Sequence, residues 1–265
     1  MMLGGVVGWP IGHSLSPLIH GSWLSAAGIK GVYQALPAMD EPAFDALIAR
    51  GKAGMFRGLN VTAPWKMRAL RAAGAGASDI ARRAGSANLL TFQDGQVHAD
   101  STDGEGLLAA LGEQAPGLKL AGAPVSVLGA GGAARAAVVA LQGAGAQVGV
   151  VNRSAERAAQ LVAAMGVTHQ TTEQLRLADL VVSALPVDPG LDVSILKPGA
   201  VVMDMGYRPL HTPLLAAARD RGLTIVDGLA MLIGQAKPSF EAIYGVPPPA
   251  VDVRALCLRA LGVAT

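Results

Sequence analysis

The chain has 265 residues and a formal net charge of +2, from 21 Lys and Arg against 19 Asp and Glu. So small a charge argues against a nucleic-acid partner or a membrane-surface patch. Hydrophobic residues make up 51% of the chain and charged residues 15%, which excludes intrinsic disorder and predicts a sizeable core. With 34 glycines and only 4% aromatics, that core must consist of Ala, Val and Leu, a mixture that favours α/β layers.

Targeting, redox and metal signals are sparse. The first 29 residues carry no charged side chain, but prolines, glycines and serines interrupt them, so we predict neither a signal peptide nor a membrane span. The single cysteine, Cys257, lies in an apolar C-terminal pattern and is expected to be a buried hydrophobe. We therefore expect a cytoplasmic protein. The five histidines are scattered and predict no metal site.

Short apolar runs alternate with helix-like stretches over the front of the chain, which indicates a mainly parallel sheet. Ser16 is the expected N-cap of the first helix, with Pro17 in its first turn. Strands are expected at 3–7, 32–36 and 58–61, with a hairpin formed by 87–92 and 96–99. Further helices are expected at 41–49 and from Pro64.

A second α/β unit is expected after Thr102-Asp103-Gly104, so we predict two domains with the chemistry in the cleft between them. Its strands are expected at 124–128, 147–151, 180–183, 200–203 and 223–226. Helices are expected at 106–111, after the strand at 124–128, and at 230–244 and 253–261.

A glycine-rich segment follows the predicted strand at 124–128 and leads into a helix, which is the context that a dinucleotide-binding fingerprint requires. Glycine lets the backbone come close to a pyrophosphate, and the helix N-terminus offers unpaired N–H groups to the anion. The segment predicts nucleotide binding, although such a turn also serves plain helix–strand packing. Its residues are Gly129-Ala130-Gly131-Gly132-Ala133-Ala134.

The end of the next predicted strand bears on which nucleotide is bound. NAD-binding domains carry an Asp or Glu there for the ribose hydroxyls. This chain has Asn152-Arg153-Ser154 instead, with Arg157 one helical turn later. Two guanidinium groups and a hydroxyl suit the 2′-phosphate of NADP. The alternative is a solvated helix start, but cations oppose the dipole at a helix N-terminus, so NADP is favoured.

Three polar groups in the front domain follow predicted strand ends. Each has a structural alternative, since Ser16 can cap a helix, Lys66 can be a solvated lysine and Asp103 can be a turn residue. Their shared placement, where open α/β sheets bind ligands, predicts one common site. The groups are Ser14 and Ser16, then Asn60, Thr62 and Lys66, then Asn88 and Thr102-Asp103-Gly104.

Taken in order, these motifs resemble those of the shikimate dehydrogenase family over nearly the whole chain. The resemblance rests on several segments together rather than on any one. They are Pro10-Ile11-Gly12-His13-Ser14-Leu15-Ser16-Pro17, Asn60-Val61-Thr62-Ala63-Pro64-Trp65-Lys66, Gly85-Ser86-Ala87-Asn88, Thr102-Asp103-Gly104-Glu105-Gly106, the glycine-rich segment, Asn152-Arg153-Ser154, Asp204-Met205-Gly206-Tyr207 and Gly228-Leu229-Ala230-Met231-Leu232-Ile233-Gly234-Gln235-Ala236.

The resemblance implies reversible hydride transfer between NADPH and 3-dehydroshikimate, giving shikimate for aromatic amino-acid biosynthesis. It also implies a two-domain α/β fold. The expected segments are a mainly parallel substrate domain (1–103), a Rossmann-type NADP-binding domain (104–229) and C-terminal helices (230–265) that pack back towards the substrate domain. The expected partners are small molecules, with neither nucleic acid nor membrane, for a monomer or a homodimer.

Carried over residue by residue, the resemblance makes Lys66 and Asp103 the catalytic pair beside the reacting carbonyl. A lysine supplies both positive charge and a transferable proton to a developing alkoxide. The implied substrate contacts are Ser14, Ser16 and Tyr207 at the carboxylate and Thr62, Asn88 and Gln235 at the ring hydroxyls. The implied cofactor contacts are Gly129, Ala130, Gly131, Gly132, Ala133, Asn152, Arg153, Ser154, Arg157, Met205, Gly228 and Met231.

Three other functions remain open. A quinate/shikimate dehydrogenase of the same family that uses NAD would need an acid where Arg153 stands. A catalytically inactive paralogue that senses shikimate or NADP should have lost Lys66 or Asp103, and both are present. A reductase that shares only the nucleotide domain would not explain the front-domain motifs together with Gln235.

The chain departs from the family pattern at several positions, none of which removes a catalytic group. Gly206 stands where the family has an aliphatic residue beside the expected nicotinamide site. The glycines Gly104 and Gly228 lead us to expect hinge closure over the cofactor. The other departures are Ser101, Trp65 and Ser183-Ala184-Leu185-Pro186.

Overall fold

As a computed structural model, the protein is described over residues 2–263. The chain divides into two compact units. Unit 1 takes in the chain up to Thr102 and again from Gln235 onward, and unit 2 is Asp103–Gly234. The chain therefore leaves the first unit once, completes the second, and returns along one helix.

The secondary structure confirms the predicted alternation of strands and helices. The strands are β1 (Met2–Gly8), β2 (Gly31–Pro37), β3 (Gly58–Val61), β4 (Leu89–Gln93), β5 (Gln96–Asp100), β6 (Pro124–Leu128), β7 (Gln147–Val151), β8 (Thr168–His169), β9 (Leu180–Ser183), β10 (Val201–Asp204) and β11 (Thr224–Val226). The α-helices are α1 (Ser16–Ala26), α2 (Glu41–Lys52), α3 (Lys66–Ala73), α4 (Asp79–Ala84), α5 (Asp103–Gln114), α6 (Gly132–Gly143), α7 (Ala155–Met165), α8 (Pro213–Asp220), α9 (Gly228–Tyr244) and α10 (Val253–Ala260).

Unit 1 is built on a five-stranded sheet in the order β2-β1-β3-β4-β5. Strand β1 pairs in parallel with both neighbours, whereas β4 runs antiparallel to β3 and to β5. The predicted hairpin is confirmed, because Gln93 pairs with Gln96 across a two-residue turn. Both turn residues have positive φ, 51° at Asp94 and 75° at Gly95, as a hairpin turn that matches the strand twist requires.

Unit 2 is a six-stranded parallel sheet in the order β11-β10-β9-β6-β7-β8. This is the doubly wound strand order of dinucleotide-binding domains. The chain adds β7 and β8 on one side of β6 and then β9, β10 and β11 on the other side. Its core cluster consists of Ala, Val, Leu and Met side chains, as the composition predicted. The short strand β8 and the helix α8 were not predicted from the sequence.

Aromatic side chains are few and are concentrated in unit 1. Trp23, Phe44 and Phe240 are fully buried, with at most 2% of each residue exposed. The Phe240 ring, on α9, packs edge-on against Trp23 of α1 with 5.5 Å between centroids. Because burying a large apolar side chain contributes roughly 1.5–3 kcal/mol, this contact ties the returning helix α9 to the front of the chain.

Three predicted helix starts need correction. The N-cap of α1 is Leu15, so Ser16 is already helical, although the predicted proline in the first turn is confirmed. Helix α3 begins at Lys66 rather than at Pro64, which follows a cis peptide bond. Helix α5 begins at Asp103 instead of residue 106. In the first two cases proline sets φ near the helical value without specifying which residue makes the first helical turn.

Two glycines expected to act as hinges are explained by close packing within unit 2. A Cβ on Gly104 would lie 2.8 Å from the Cβ of Ala140, so the glycine allows α5 to approach α6. A Cβ on Gly228 would lie 2.3 Å from the carbonyl oxygen of Met205. Neither residue has a positive φ in this structure. The prediction of hinge closure therefore has no support from these two glycines.

The expectation for the single cysteine is confirmed, since Cys257 is buried and burial raises the pKa of its thiol to about 11. Within residues 2–263, no helix is both long enough and apolar enough to cross a bilayer. Over the same residues, no cluster of three or more His, Cys, Asp or Glu is arranged to hold a metal ion.

Candidate active site

Polar residues of unit 1 gather at the sheet edge where β1 and β3 end and β4 begins. Strands β1 and β3 are parallel, with Val7 opposite Val61, so the segments after them leave the sheet at the same edge. Strand β4 runs the other way, with Leu89 opposite Asn60, so Asn88 enters the sheet at that edge. Side chains from three segments are thereby brought to one place, as predicted.

The serines after β1 meet the start of α1. The Ser16 N–H donates to Ser14 Oγ at 3.3 Å, so Ser14 supplies the hydroxyl beside the first helical turn. Ser16 is 4% exposed, and its hydroxyl hydrogen-bonds the phenol of Tyr33. Thr62 leaves β3 with its N–H donating to Val7 O at 2.9 Å. These hydroxyls, next to a helix N-terminus, are suited to an anionic group such as a carboxylate.

Asn88 and Gln235, 147 residues apart in the chain, lie in direct contact. Asn88 Nδ2 donates to Gln235 Oε1 at 3.1 Å and to Thr102 Oγ1 at 2.9 Å. Asn88 Oδ1 accepts from the Thr102 N–H at 2.7 Å. All three residues are at most 8% exposed. The structure thus unites two of the predicted ring-hydroxyl ligands in one buried polar cluster, with Thr102 as a third member.

The two predicted catalytic residues each begin a helix. Lys66 is the first residue of α3, and its carbonyl accepts from the Ala87 N–H at 2.9 Å, which ties the start of α3 to the segment carrying Asn88. Asp103 is the first residue of α5 and is 6% exposed. Thr102, the residue before Asp103, donates its N–H to Asn88, and this hydrogen bond anchors the chain just ahead of α5. A carboxylate at this position is stabilised by the helix dipole.

The predicted residues Met205 and Tyr207 lie in the loop between β10 and α8, which a buried aspartate organises. Asp204 accepts from the Gly206 N–H at 3.0 Å and from Thr212 Oγ1 at 2.7 Å. Thr212 in turn caps α8 by accepting from the Leu215 N–H. Gly206, which departs from the family pattern, has room for a Cβ, because an added Cβ would meet its neighbours at 3.4 Å or more.

The glycine-rich segment has the conformation that a pyrophosphate site needs. Gly129 has φ = 117°, and a Cβ there would meet Leu185 at 3.3 Å, so both conformation and space favour glycine. Gly131 is the N-cap of α6, no side chain caps this helix end, and a Cβ on Gly131 would meet nothing within 4 Å. A helix N-terminus without a side-chain cap, beside open space at Gly131, suits an anion. The residues of this segment therefore fit a dinucleotide phosphate.

The predicted 2′-phosphate contacts lie beside that turn. The Gly129 N–H donates to Val151 O at 2.9 Å, so the end of β7 and the glycine turn are adjacent. Asn152 Nδ2 donates to the Ser154 carbonyl, and Ser154 Oγ caps α7 by accepting from the Arg157 N–H at 3.3 Å. Capping uses a lone pair of the Ser154 oxygen and leaves the hydroxyl proton able to bind a phosphate.

Arg153 and Arg157 are exposed, and among the residues described here neither guanidinium forms an ion pair within 4 Å. Unpaired cations at the start of α7 oppose the helix dipole, and an anionic ligand would relieve that repulsion. The remaining predicted cofactor residue, Met231, is 7% exposed and packs in the core of unit 2.

Three residues of this region were not assigned a role from the sequence. Asn60 was recognised as a polar residue at a strand end but was given no role, and Tyr33 and Ser239 were not singled out. Tyr33 Oη donates to Asn60 Oδ1 at 2.8 Å, and Asn60 Nδ2 donates to Ser239 Oγ at 2.9 Å. One signal was available, because Ser239 lies four residues after Gln235 and so on the same face of α9.

Comparison with known proteins gives the chain its family. The model of the shikimate dehydrogenase substrate-binding domain matches residues 6–90, and the model of shikimate/quinate 5-dehydrogenase matches residues 110–188. The chain is 48% identical over 277 residues to the NADP(+) shikimate dehydrogenase of Caulobacter vibrioides, covering 98% of this chain and 96% of that relative. This protein belongs to the shikimate dehydrogenase family.

Solved structures of family members share the fold. The shikimate 5-dehydrogenase of Thermus thermophilus in complex with shikimate has 35% identity and a TM-score of 0.91, covering 99% of this chain and 100% of that one. The quinate dehydrogenase of Corynebacterium glutamicum in complex with NAD has 28% identity and a TM-score of 0.86, covering 97% and 99%. The family fold is therefore common to enzymes named for different substrates and cofactors.

Proposed function

We propose that this protein is a shikimate dehydrogenase that reversibly reduces 3-dehydroshikimate to shikimate with NADPH, in aromatic amino-acid biosynthesis. The observation that carries the proposal is the 48% identity, over 98% of the chain, to an NADP(+) shikimate dehydrogenase. The buried Asn88–Thr102–Gln235 cluster supports it, because a ring with several hydroxyls needs fixed donors and acceptors of this kind.

For the chemical step, we assign Lys66 as the acid/base and Asp103 as its partner. NADPH, when bound, supplies the hydride. As the substrate carbonyl gains that hydride, Lys66 Nζ stabilises the developing negative oxygen by its charge and then donates a proton to it. In the reverse direction Lys66 removes the proton from the shikimate hydroxyl. Asp103 orients the ammonium group.

For binding, we assign the substrate carboxylate to the Ser14 and Ser16 hydroxyls, with Tyr207 beside it. Thr62, Asn88 and Gln235 bind the ring hydroxyls. Asn88 Nδ2 donates to Gln235 Oε1, and this hydrogen bond holds the two amides together. We assign 1–103 as the substrate domain, 104–229 as the NADP-binding domain and 230–265 as a return to the substrate domain. The compact units divide close to these bounds, after Thr102 and after Gly234.

For the cofactor, we assign the pyrophosphate to the main chain of residues 129–133 and the 2′-phosphate to Asn152, Arg153, Ser154 and Arg157. Met205, Gly228 and Met231 are assigned to the nicotinamide end. The exposed guanidinium of Arg153 favours NADP, since an arginine forms bidentate hydrogen bonds with a phosphate.

The test is NADP reduction on addition of shikimate, followed by absorbance, with NAD and with quinate in parallel. We expect strong activity with shikimate and NADP and little with the other pairs. Preference for quinate or NAD would keep the fold and the proposed chemistry but overturn the assignment of specificity. No activity in a folded protein that binds NADP would favour the inactive paralogue.

The second candidate function is NAD-dependent quinate dehydrogenation, which the likeness to the Corynebacterium glutamicum enzyme favours. The presence of Arg153 in place of an acid speaks against it. We further propose a cytoplasmic enzyme acting as a monomer or homodimer on small molecules alone, on the basis of the single cysteine and the small net charge.

A further inference from the structure

A chain of buried hydrogen bonds extends from the Asn88–Thr102–Gln235 cluster into the interior of unit 1. Ser239 Oγ lies 3.2 Å from Thr102 Oγ1 and donates to the Gln235 main-chain carbonyl at 3.0 Å. Asn60 Nδ2 donates to Ser239 Oγ at 2.9 Å and to the Asn88 carbonyl at 3.2 Å. The hydroxyl of Ser239 therefore contacts the main chain of Gln235 directly and is linked to Asn88 through Asn60 and Thr102.

The donors and acceptors at the centre of this chain are almost fully used. The Asn88 carbonyl can only accept, so it fixes the orientation of the Asn60 amide, whose two protons go to Asn88 and to Ser239. Tyr33 donates its phenol proton to Asn60 Oδ1. Ser239 Oγ accepts from Asn60, donates to the Gln235 carbonyl and lies against the Thr102 hydroxyl. Every polar side-chain atom of Asn60 and Ser239 is therefore paired.

Ser239 is fully buried, with 0% of the residue exposed, so it cannot itself touch a substrate. Its effect must pass through the residues it holds. A buried hydrogen-bond network whose polar groups are all paired makes its members rigid. Removing the Ser239 hydroxyl would leave an Asn60 N–H without its acceptor, and a buried unpaired donor drives the network to shift and re-pair it.

We infer that Ser239 is a positioning residue, whose hydroxyl, fixed by Tyr33 and Asn60, sets the place of the Gln235 and Asn88 amides for the substrate ring. The inference rests on the proposed function, because shikimate is the ring that those two amides are proposed to bind. It predicts an effect on substrate binding that is separate from the chemical step and from the cofactor.

The test is Ser239→Ala, assayed for shikimate oxidation with NADP and for shikimate binding by titration calorimetry without nucleotide. We expect the KM and the Kd for shikimate to rise about tenfold, which corresponds to about 1.4 kcal/mol. We expect kcat to change by less than about threefold and the KM for NADP to stay the same. If Ser239 contributed only to stability, Ser239→Ala would contain less active enzyme, and its KM values for shikimate and NADP would stay unchanged.

Ser22→Ala is the matched control. Ser22 Oγ donates to Leu18 O four residues earlier, at 2.8 Å, as Ser239 does to Gln235, but on α1 and outside the network. We expect Ser22→Ala to leave the KM for shikimate unchanged. If Ser239→Ala does not fold, Tyr33→Phe removes the proton that fixes Asn60, and the same rise in shikimate KM and Kd is expected.

The inference is overturned if the folded Ser239→Ala protein, or Tyr33→Phe in its place, binds and oxidises shikimate like the Ser22→Ala control. A wild-type protein that binds NADP but neither binds nor oxidises shikimate would overturn the proposed function, and the inference with it. The wild-type measurement therefore separates the two failures.

Discussion

Lys66 is the residue on which the proposed chemistry depends most directly. It opens α3 and is half-buried at the polar edge of the unit 1 sheet. Its main-chain carbonyl is tied to Ala87, so its Cα is held relative to the segment that carries Asn88. A fixed backbone limits the positions that the ammonium group can take, which is what a proton donor needs.

Lys66→Ala is expected to lower kcat by about 10²–10⁴-fold, the range that positioned acid/base groups supply. The Kd for NADP should stay nearly unchanged, because the glycine turn and the arginine pair lie in unit 2. Turnover and nucleotide binding are measured on the same preparation. Lys52→Ala, at the exposed end of α2, is the matched control and should retain wild-type turnover. A loss of less than tenfold for Lys66→Ala would exclude it as the main acid/base.

His20 is a second residue with a measurable consequence, in this case for stability. It is fully buried on α1, stacked on Tyr33 with 4.0 Å between ring centroids and flanked by Trp23 and Phe240. Within the described residues neither ring nitrogen has a hydrogen-bond partner. Desolvation lowers the pKa of His20 to about 3, so the ring is neutral in the folded protein.

We expect this histidine to make the protein labile to acid. Its folded-state pKa of about 3 lies below the ordinary histidine pKa of 6.5, so below pH 6.5 the unfolded state binds a proton that the folded state does not. The free energy of unfolding then falls by about 1.4 kcal/mol per pH unit, down to about pH 3. His20→Phe should remove this loss, because an apolar ring replaces an unpartnered polar one.

The measurement is urea unfolding of wild type and His20→Phe at pH 7, 6, 5 and 4. The two stabilities should diverge as the pH falls, with the variant the more stable at pH 4. Parallel curves from pH 7 to pH 4 would show that His20 is charged, or hydrated, in the folded state.

At the level of single elements, the loop from β10 to α8 depends on one buried carboxylate. Asp204 ties the Gly206 N–H to the Thr212 hydroxyl, and Thr212 also caps α8. The loop that carries Met205 and Tyr207 is thus closed at both ends by polar contacts. Gly228 lets α9 begin against the Met205 carbonyl, where any Cβ would collide.

Thr212→Val removes the hydroxyl and keeps the shape of the side chain. We expect a loss of about 1 kcal/mol in unfolding free energy from the lost cap. We also expect a severalfold rise in the KM for shikimate, because Tyr207 is no longer held. Asp252→Ala, which removes the cap of α10, is the control and should lower stability with no change in KM. An unchanged KM in Thr212→Val would separate this loop from substrate binding.

For the molecule as a whole, the path of the chain makes unit 1 depend on the C-terminal segment. Phe240 and Tyr244 of α9 are buried with the front of the chain, and a Cβ on Gly58 would collide with Ile243. Gln235 and Ser239 come from the same helix. Neither the core of unit 1 nor its polar cluster is complete until the last 31 residues are in place.

A chain that ends at Gly234 is therefore expected to bind no shikimate, while NADP still raises the Tm of the remaining folded part. Thermal unfolding with and without each ligand measures this. A chain that ends at Gly262 keeps α9 and α10 and serves as the control, with both ligands stabilising it. Shikimate binding by the shorter chain would show that the front segment folds without α9.

The elements that sequence reasoning placed well depend on contacts near in the chain. The turn at Asp94-Gly95 needs two residues that accept positive φ, and the strands at Gly58–Val61, Pro124–Leu128 and Gln147–Val151 end where predicted. The glycine-rich turn between β6 and α6 lies where predicted, because a strand–turn–helix order is set by residues adjacent in the chain. Helix starts were misplaced by up to three residues, since Ser16 and Pro64 are each compatible with more than one cap position.

The order of most elements, the glycine-rich turn and the residue types available for chemistry can be inferred from the amino-acid sequence, because propensity and local chain geometry set them. Which polar groups share protons depends on the three-dimensional fold. Tyr33 reaches Asn60 across 27 residues, Asn88 reaches Gln235 across 147 and Asn60 reaches Ser239 across 179. Such pairings depend on how the returning helix α9 packs against the unit 1 sheet, and a pattern of neighbouring residues does not specify contacts between residues so far apart in the chain.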